Sequence, residues 1–285
     1  MALPALLAGA IAIAFAPIFV RLSELEPTAT AVHRLLLALP ALWIWQALEV
    51  RHGPKDARPR WPRDHGVLVL AGLFFAGDLA FWHWSIRFTS VANATLLANF
   101  APIFVTVAGF VLFSERFSRT FLIGMVLALG GACVLMGRSL TLGMETLLGD
   151  ALGLITAMFY GAYILTVGRL RARLPTGTIM AWTGAVTCVA LVPVAWISGE
   201  TLIPETLRGW LVLAGLALFS HAGGQSLIAY ALAHLPAAFG SVTLLLQPAV
   251  AALLAWVLLG EALGPWQGVG ALVILVGIYV ARRGS

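Results

Sequence analysis

Apolar runs of roughly twenty residues, each long enough to cross about 30 Å of hydrocarbon as helix, follow one another along this chain with only short polar breaks. The pattern predicts ten spans, at about 4–22, 28–49, 66–86, 90–113, 119–137, 149–168, 176–197, 207–231, 237–259 and 265–281. Strict apolar–polar alternation is missing and the runs exceed the ~10 residues of a barrel strand, so strands are not expected. The first run contains Ala14-Phe15-Ala16, which resembles a leader cleavage site. No basic segment precedes it, so it is read as a retained helix.

Composition agrees with the pattern. Of 285 residues 61% are hydrophobic and 10% charged, against about a quarter charged in soluble domains. The expected fold class is all-α integral membrane, embedded in the lipid bilayer. A net charge of +5 invites a nucleic-acid partner, but the basic residues lie between spans and not on one soluble face, so no nucleic acid is expected. Arg51, Lys55, Arg58, Arg60, Arg63, Arg116, Arg119, Arg169, Arg171, Arg173, Arg282 and Arg283 all fall on one side if the N-terminus is inside. The positive-inside rule then puts both termini in the cytoplasm of an inner-membrane, multi-pass protein. Cys133 and Cys188 lie inside apolar runs and read as inert packing, with no metal site.

The chain also repeats itself. Pro102, Glu115, Gly124 and Gly131 reappear as Pro248, Glu261, Gly270 and Gly277, each pair 146 positions apart. Arg21, Pro27, Thr28 and Thr30 reappear as Arg169, Pro175, Thr176 and Thr178, 148 positions apart. Two repeats, 1–138 and 149–285, therefore hold five spans each. An odd number forces the second copy upside down relative to the first. Inverted repeats supply two near-equivalent conformations that open a central site alternately to each side, which favours a carrier over a channel.

These residues resemble the EamA type of the drug/metabolite transporter superfamily. Gln247-Pro248 through Gly260-Glu261 to Gly270 and Gly277 is similar to the family's signature. The first half matches it, with Ser114 in place of the signature glycine. His33-Arg34-Leu35-Leu36 resembles the family's arginine-bearing second helix. The resemblance implies a ten-helix exporter with cavity walls from helices one, three, four, six, eight and nine, and helices five and ten as scaffold. It is closest in character to bacterial aromatic amino-acid exporters, and so implies small zwitterionic metabolites as substrates. A drug or other metabolite exporter of the same fold is the alternative, and a channel or membrane enzyme is the more distant one.

Polar groups inside spans need an internal partner or a wet cavity. Asp78, mid-span, is followed at helical spacing by Trp82 and Ser85. It has three open roles: binding a substrate ammonium, carrying a coupling proton, or pairing structurally with a neighbouring helix. Helix four presents Thr95, Asn99, Pro102 and Thr106 along one face. Helix nine presents Ser241, Thr243 and Gln247 around Pro248. The prolines are hinge candidates that loosen both helices, and the amides suit a zwitterion or serve to glue helices. Tyr160 and Tyr163 on helix six, Trp182 on helix seven, and His221 and Gln225 on helix eight complete the cavity candidates. Arg34 is read as a carboxylate binder or as the partner of Glu24 or Glu26. Glu115 and Glu261 are read as satisfying the start of the next helix, and the repeated glycines as close-packing points. No GxSxG, HExxH or phosphate-cradling motif is present. A catalytic function and a cofactor are therefore not expected; proton coupling stays open, and the chain is read as a monomer or weak dimer.

Overall fold

A computed structural model describes residues 1–52, 59, 62–137 and 143–285. Ten helices among them are long and apolar enough to cross a membrane: α1 (Ala2–Leu22), α2 (Pro27–His52), α3 (Arg63–Phe88), α4 (Asn93–Phe113), α5 (Arg119–Met136), α6 (Met144–Leu170), α7 (Thr176–Ile197), α8 (Leu207–Ala231), α9 (Ala237–Leu259) and α10 (Pro265–Gly284). They match the ten predicted spans one for one. Lys55, Arg58, Arg60 and Trp61, and the start of the repeat junction at 138–142, lie outside the described residues.

The chain divides into two compact units. The first comprises Met1–Ala80 and Thr166–His234, the second Phe81–Leu165 and Leu235–Ser285. Each unit draws helices from both halves of the sequence, and α3 and α6 contribute to both.

In the second unit, the four repeated glycines meet at one crossing of α5 and α10. A Cβ on Gly124 would lie 2.2 Å from the Ala281 nitrogen, and one on Gly277 would lie 2.4 Å from that of Ala128. Gly131 and Gly270 are as tight, at 2.6 Å from Ile274 N and 2.5 Å from Leu135 N. Small residues allow such backbone contact in lipid, where packing, and not water exclusion, holds helices together. Gly124 faces Gly277 while Gly131 faces Gly270. The helices therefore run antiparallel, with repeat equivalents exchanged across the crossing. A two-fold axis in the membrane plane imposes that exchange.

The first unit shows the same inversion through hydrogen bonds. Ala29 N donates to the Glu200 carboxylate at 2.7 Å, and Gly177 N donates to the Glu49 carboxylate at 2.8 Å. Ala29 and Gly177 are repeat equivalents 148 positions apart. Each of α2 and α7 thus has a first-turn amide, otherwise orphaned, bound by an acid at the far end of the other helix. Only antiparallel helices can cap each other in this way.

Helix ends show further caps. The start of α5 is capped by Ser118 Oγ, which accepts from Phe121 N at 3.0 Å, and at the head of α10 Gly264 N donates to Gln267 Oε1 at 2.6 Å. The backbone of Glu115 and Glu261 also closes the helices before them: their N–H groups donate to Gly109 O at 3.1 Å and Ala255 O at 3.3 Å. A left-handed residue sits just before each of these i→i−6 bonds, as it does at the αL-closed ends of many helices. That residue is Gly260 at φ 69° in one copy and Ser114 at φ 57° in the other.

One break is not visible as a proline. Within α8, residues Leu216–Gln225 wind as a π-helix. The Gly223-Gly224 pair sits inside this segment, and a Cβ on Gly9 of α1 would come 2.8 Å from Gly224 O. Close packing of α1 on α8 coincides with the wider turn.

Candidate functional site

Two polar clusters form, one within each unit. In the second unit, α4 is interrupted between Val91–Ala98 and Ala101–Phe113, and α9 between Ala237–Thr243 and Leu246–Leu259. Pro102 and Pro248 cannot donate into an i→i−4 ladder, so the chain tightens just upstream of them. Phe100 N donates to Leu97 O at 3.0 Å, Leu245 N to Val242 O at 3.1 Å and Gln247 N to Leu244 O at 2.9 Å, all i→i−3.

The two breaks line one pocket with Tyr160 and Ile164 of α6. From α4 come Ala98, Asn99, Ala101 and Pro102, and from α9 Ser241, Leu244, Leu245 and Gln247. Positions 98 and 244, 99 and 245, and 101 and 247 are repeat equivalents, so the pocket straddles the pseudo-two-fold axis of this unit. The amides break that symmetry, because Asn99 answers Leu245 and Gln247 answers Ala101. The volume is about 20 Å³, room for about one water. The Asn99 side-chain nitrogen donates to Thr95 O at 2.8 Å. Gln247 is half-buried, and its Nε2 is buried without a hydrogen-bond partner. Tyr163, 2% exposed, stacks on Tyr160 at 6.3 Å and backs the pocket without lining it.

In the first unit, α3 packs on the π-wound part of α8 at His221. Phe75, one turn before Asp78 on α3, stacks on the His221 ring at 5.7 Å and 15°. His221, Gln225 and Ser226 are all buried on the π-wound part of α8 or at its end. The pairing expected of Arg34 with Glu24 or Glu26 gives way to other partners. Glu24 accepts from the Thr206 hydroxyl and from the amides of Glu205 and Thr206, and Glu26 accepts from Thr201 N at 2.9 Å.

Other candidates lie elsewhere. Trp182 sits edge-on to Trp43 at 5.5 Å and to His65 at 5.0 Å, near the head of α3. Trp82 is partly exposed and lies edge-on to its neighbour His83 at 5.1 Å. Ser85 donates to Gly149 O at 2.7 Å, and so helps fix the head of α6. Sequence reasoning missed Asp150, which receives Thr89 Oγ1, Asn93 Nδ2 and Thr146 Oγ1 at 2.8–3.1 Å. It also missed Phe75 and the π-turn, for which the glycine pair in HAGGQ was the available signal.

Ten apolar helices, inverted pairs inside each compact unit and polar groups gathered at helix breaks define a multi-pass membrane protein of the inverted-repeat class. The EamA-like transporter family matches residues 1–137 and 147–283, and the chain belongs to it. The chain is 28% identical over 242 residues to a probable terminal-alkyne amino-acid exporter of Streptantibioticus cattleyicolor, covering 83% of this chain and 80% of that one. It is 29% identical over 281 residues to a probable amino-acid metabolite efflux pump of Salmonella typhimurium, covering 93% and 89%. A solved crystal structure shares the fold at TM-score 0.83 and 19% identity, covering 98% of this chain and 96% of its own.

Proposed function

We propose that this membrane transporter exports small zwitterionic metabolites, amino acids foremost and aromatic or bulky apolar ones among them. It lies in the inner membrane with both termini cytoplasmic, and works by alternating access. The observation that carries the reading is the pocket of the second unit. Repeat-equivalent breaks in two helices meet there around uncharged amides, a serine and a tyrosine, in an otherwise apolar wall. Such a lining can bind a polar headgroup and an apolar side chain without importing net charge. A pocket that admits about one water in this state must open for each substrate, as a carrier does and a pore does not. The terminal-alkyne amino acid and the amino-acid metabolite named for two relatives support the same class.

Counterflow in proteoliposomes tests it. Vesicles preloaded with unlabelled L-phenylalanine, L-leucine or L-threonine should accelerate uptake of the same labelled amino acid, and vesicles loaded with buffer should not. Gln247→Ala and Asp78→Asn should each lower that rate about tenfold, the loss of one well-placed polar contact, with normal insertion. Undiminished exchange by either variant would remove that residue from substrate binding. Equal uptake with and without preloading would point to a channel.

A further inference from the structure

The two helix breaks that line the pocket of the second unit are equivalent in the repeat but not in their hydrogen bonding. In α9 the Leu244 carbonyl has no helical donor, because residue 248 is proline, and Gln247 N replaces that donor at 2.9 Å. In α4 the equivalent carbonyl, that of Ala98, has lost its donor to Pro102, and no backbone N–H among the described residues replaces it. Asn99 N turns to Thr95 O and Leu96 O, and Phe100 N to Leu97 O. The next carbonyl is opened as well. Ile103 N, which an unbroken helix would direct to Asn99 O, donates to Phe100 O at 3.0 Å. The Asn99 side chain adds a third oxygen: its nitrogen is held by Thr95 O at 2.8 Å, which leaves Oδ1 as the open acceptor. On α9 the polarity is opposite. Gln247 Nε2 is buried without a hydrogen-bond partner, and Leu245, the equivalent of Asn99, brings no polar side chain. Ser241 adds no donor, since its hydroxyl donates to Ala238 O at 2.7 Å. Ala98, Asn99 and Gln247 line the same cavity, so one wall accepts hydrogen bonds and the facing one donates.

We infer that this polarity fixes the direction in which an α-amino acid sits in the pocket. Its ammonium lies on the α4 break, at Ala98 O, Asn99 O and Asn99 Oδ1, and its carboxylate on Gln247 Nε2 of α9. The inference rests on the amino-acid reading above and orients that substrate's headgroup within the same pocket. An ammonium brings only donors and a carboxylate only acceptors. In the stated direction each end meets its complement. Reversed, the carboxylate would face carbonyl oxygens and the ammonium an N–H group, and every buried partner would stay unmade. The lining carries no charged side chain, so a zwitterion, neutral overall, enters at less cost than a bare cation or anion. Symmetry alone cannot choose the direction, because positions 98 and 244 are equivalents, as are 99 and 245. The choice comes from the two amides and from the Gln247 N to Leu244 O bond that only one break has. A site built to hydrogen-bond one group discriminates strongly against analogues without it.

Three probes separate the two ends: L-phenylalanine, phenethylamine, which lacks the carboxylate, and 3-phenylpropionate, which lacks the ammonium. They are titrated calorimetrically against the purified full chain in nanodiscs, with L-phenylalanine counterflow measured in parallel. Gln247→Met keeps the length of the side chain and removes its donor. It should weaken L-phenylalanine and 3-phenylpropionate about three- to tenfold and leave phenethylamine within about twofold. Pro102→Ala supplies the N–H that the Ala98 carbonyl lacks, and so occupies one of the ammonium's acceptors. It should weaken L-phenylalanine and phenethylamine by a similar factor and spare 3-phenylpropionate. A proline acting only as a hinge would move all three probes together. Pro102→Ala adds a helical hydrogen bond, so it carries the test if Gln247→Met does not fold. If either folded variant weakens all three probes equally, or none, or shows the pattern expected of the other, the inference is overturned, while intact wild-type counterflow of L-phenylalanine leaves amino-acid export standing. If the wild type neither binds nor exchanges any of the twenty amino acids, the functional reading fails and the orientation fails with it.

Discussion

At Ser114 the two copies of the repeat differ in local energy. It holds the same left-handed conformation as Gly260, but its Cβ makes that conformation cost roughly 1–2 kcal/mol. Ser114→Gly should therefore stabilise the protein by about 0.5–1 kcal/mol after the extra chain entropy of glycine is discounted. Gly260→Ser should destabilise it by a similar amount. Thermal unfolding of both variants in the same detergent checks the pair, and opposite signs are expected. At this scale the sequence was informative about identity and silent about geometry. Ser114 stood out as a departure from the repeat, but its reason, a helix-closing left-handed turn, needed the backbone. Asn99 and Gln247 were legible as amides beside prolines. The stacking of Phe75 on His221 was not, because residues 75 and 221 are brought together by tertiary packing that no local pattern encodes.

Helices were the most legible level, since ten apolar runs of spanning length leave little else for the chain to form. Their interruptions were legible only where a proline marks them; the π-segment of α8 has none. The repeated glycines were read as contact points, and the structure shows which helices they join. That gives a controlled prediction. Gly124 and Gly130 both lie in α5, but a Cβ on Gly124 strikes the α10 backbone at 2.2 Å while one on Gly130 meets nothing within 4 Å. Gly124→Ala should cost about 1–3 kcal/mol through overpacking. Gly130→Ala should be neutral or stabilising by up to about 1 kcal/mol, from helix propensity. Unfolding midpoints of the two variants measure the contrast. Equal effects would mean that α5 and α10 do not pack closely through Gly124.

For the whole molecule, duplication provides the geometry of transport and departures from it provide selectivity. Equivalent positions 98/244, 99/245 and 101/247 line one pocket, and inverted copies permit a conformation in which the two sets exchange environments. If the pocket obeys the pseudo-two-fold, its chemistry should survive rotation about that axis. Moving both amides across it, with Asn99→Leu, Leu245→Asn, Gln247→Ala and Ala101→Gln together, keeps the pocket's composition and volume, and only composition and volume need to be conserved for a core to repack. Each half-exchange (99 with 245, or 101 with 247) places one amide out of relation to the other and should lower L-phenylalanine counterflow about tenfold. The fourfold variant should recover to within a few-fold of wild type. Recovery stops short of complete because Tyr160 has no repeat counterpart in the lining, so one wall does not rotate with the rest. A fourfold variant no better than its halves would show that the amides act through neighbours outside the repeat, and that the symmetry of the pocket is architectural without being functional.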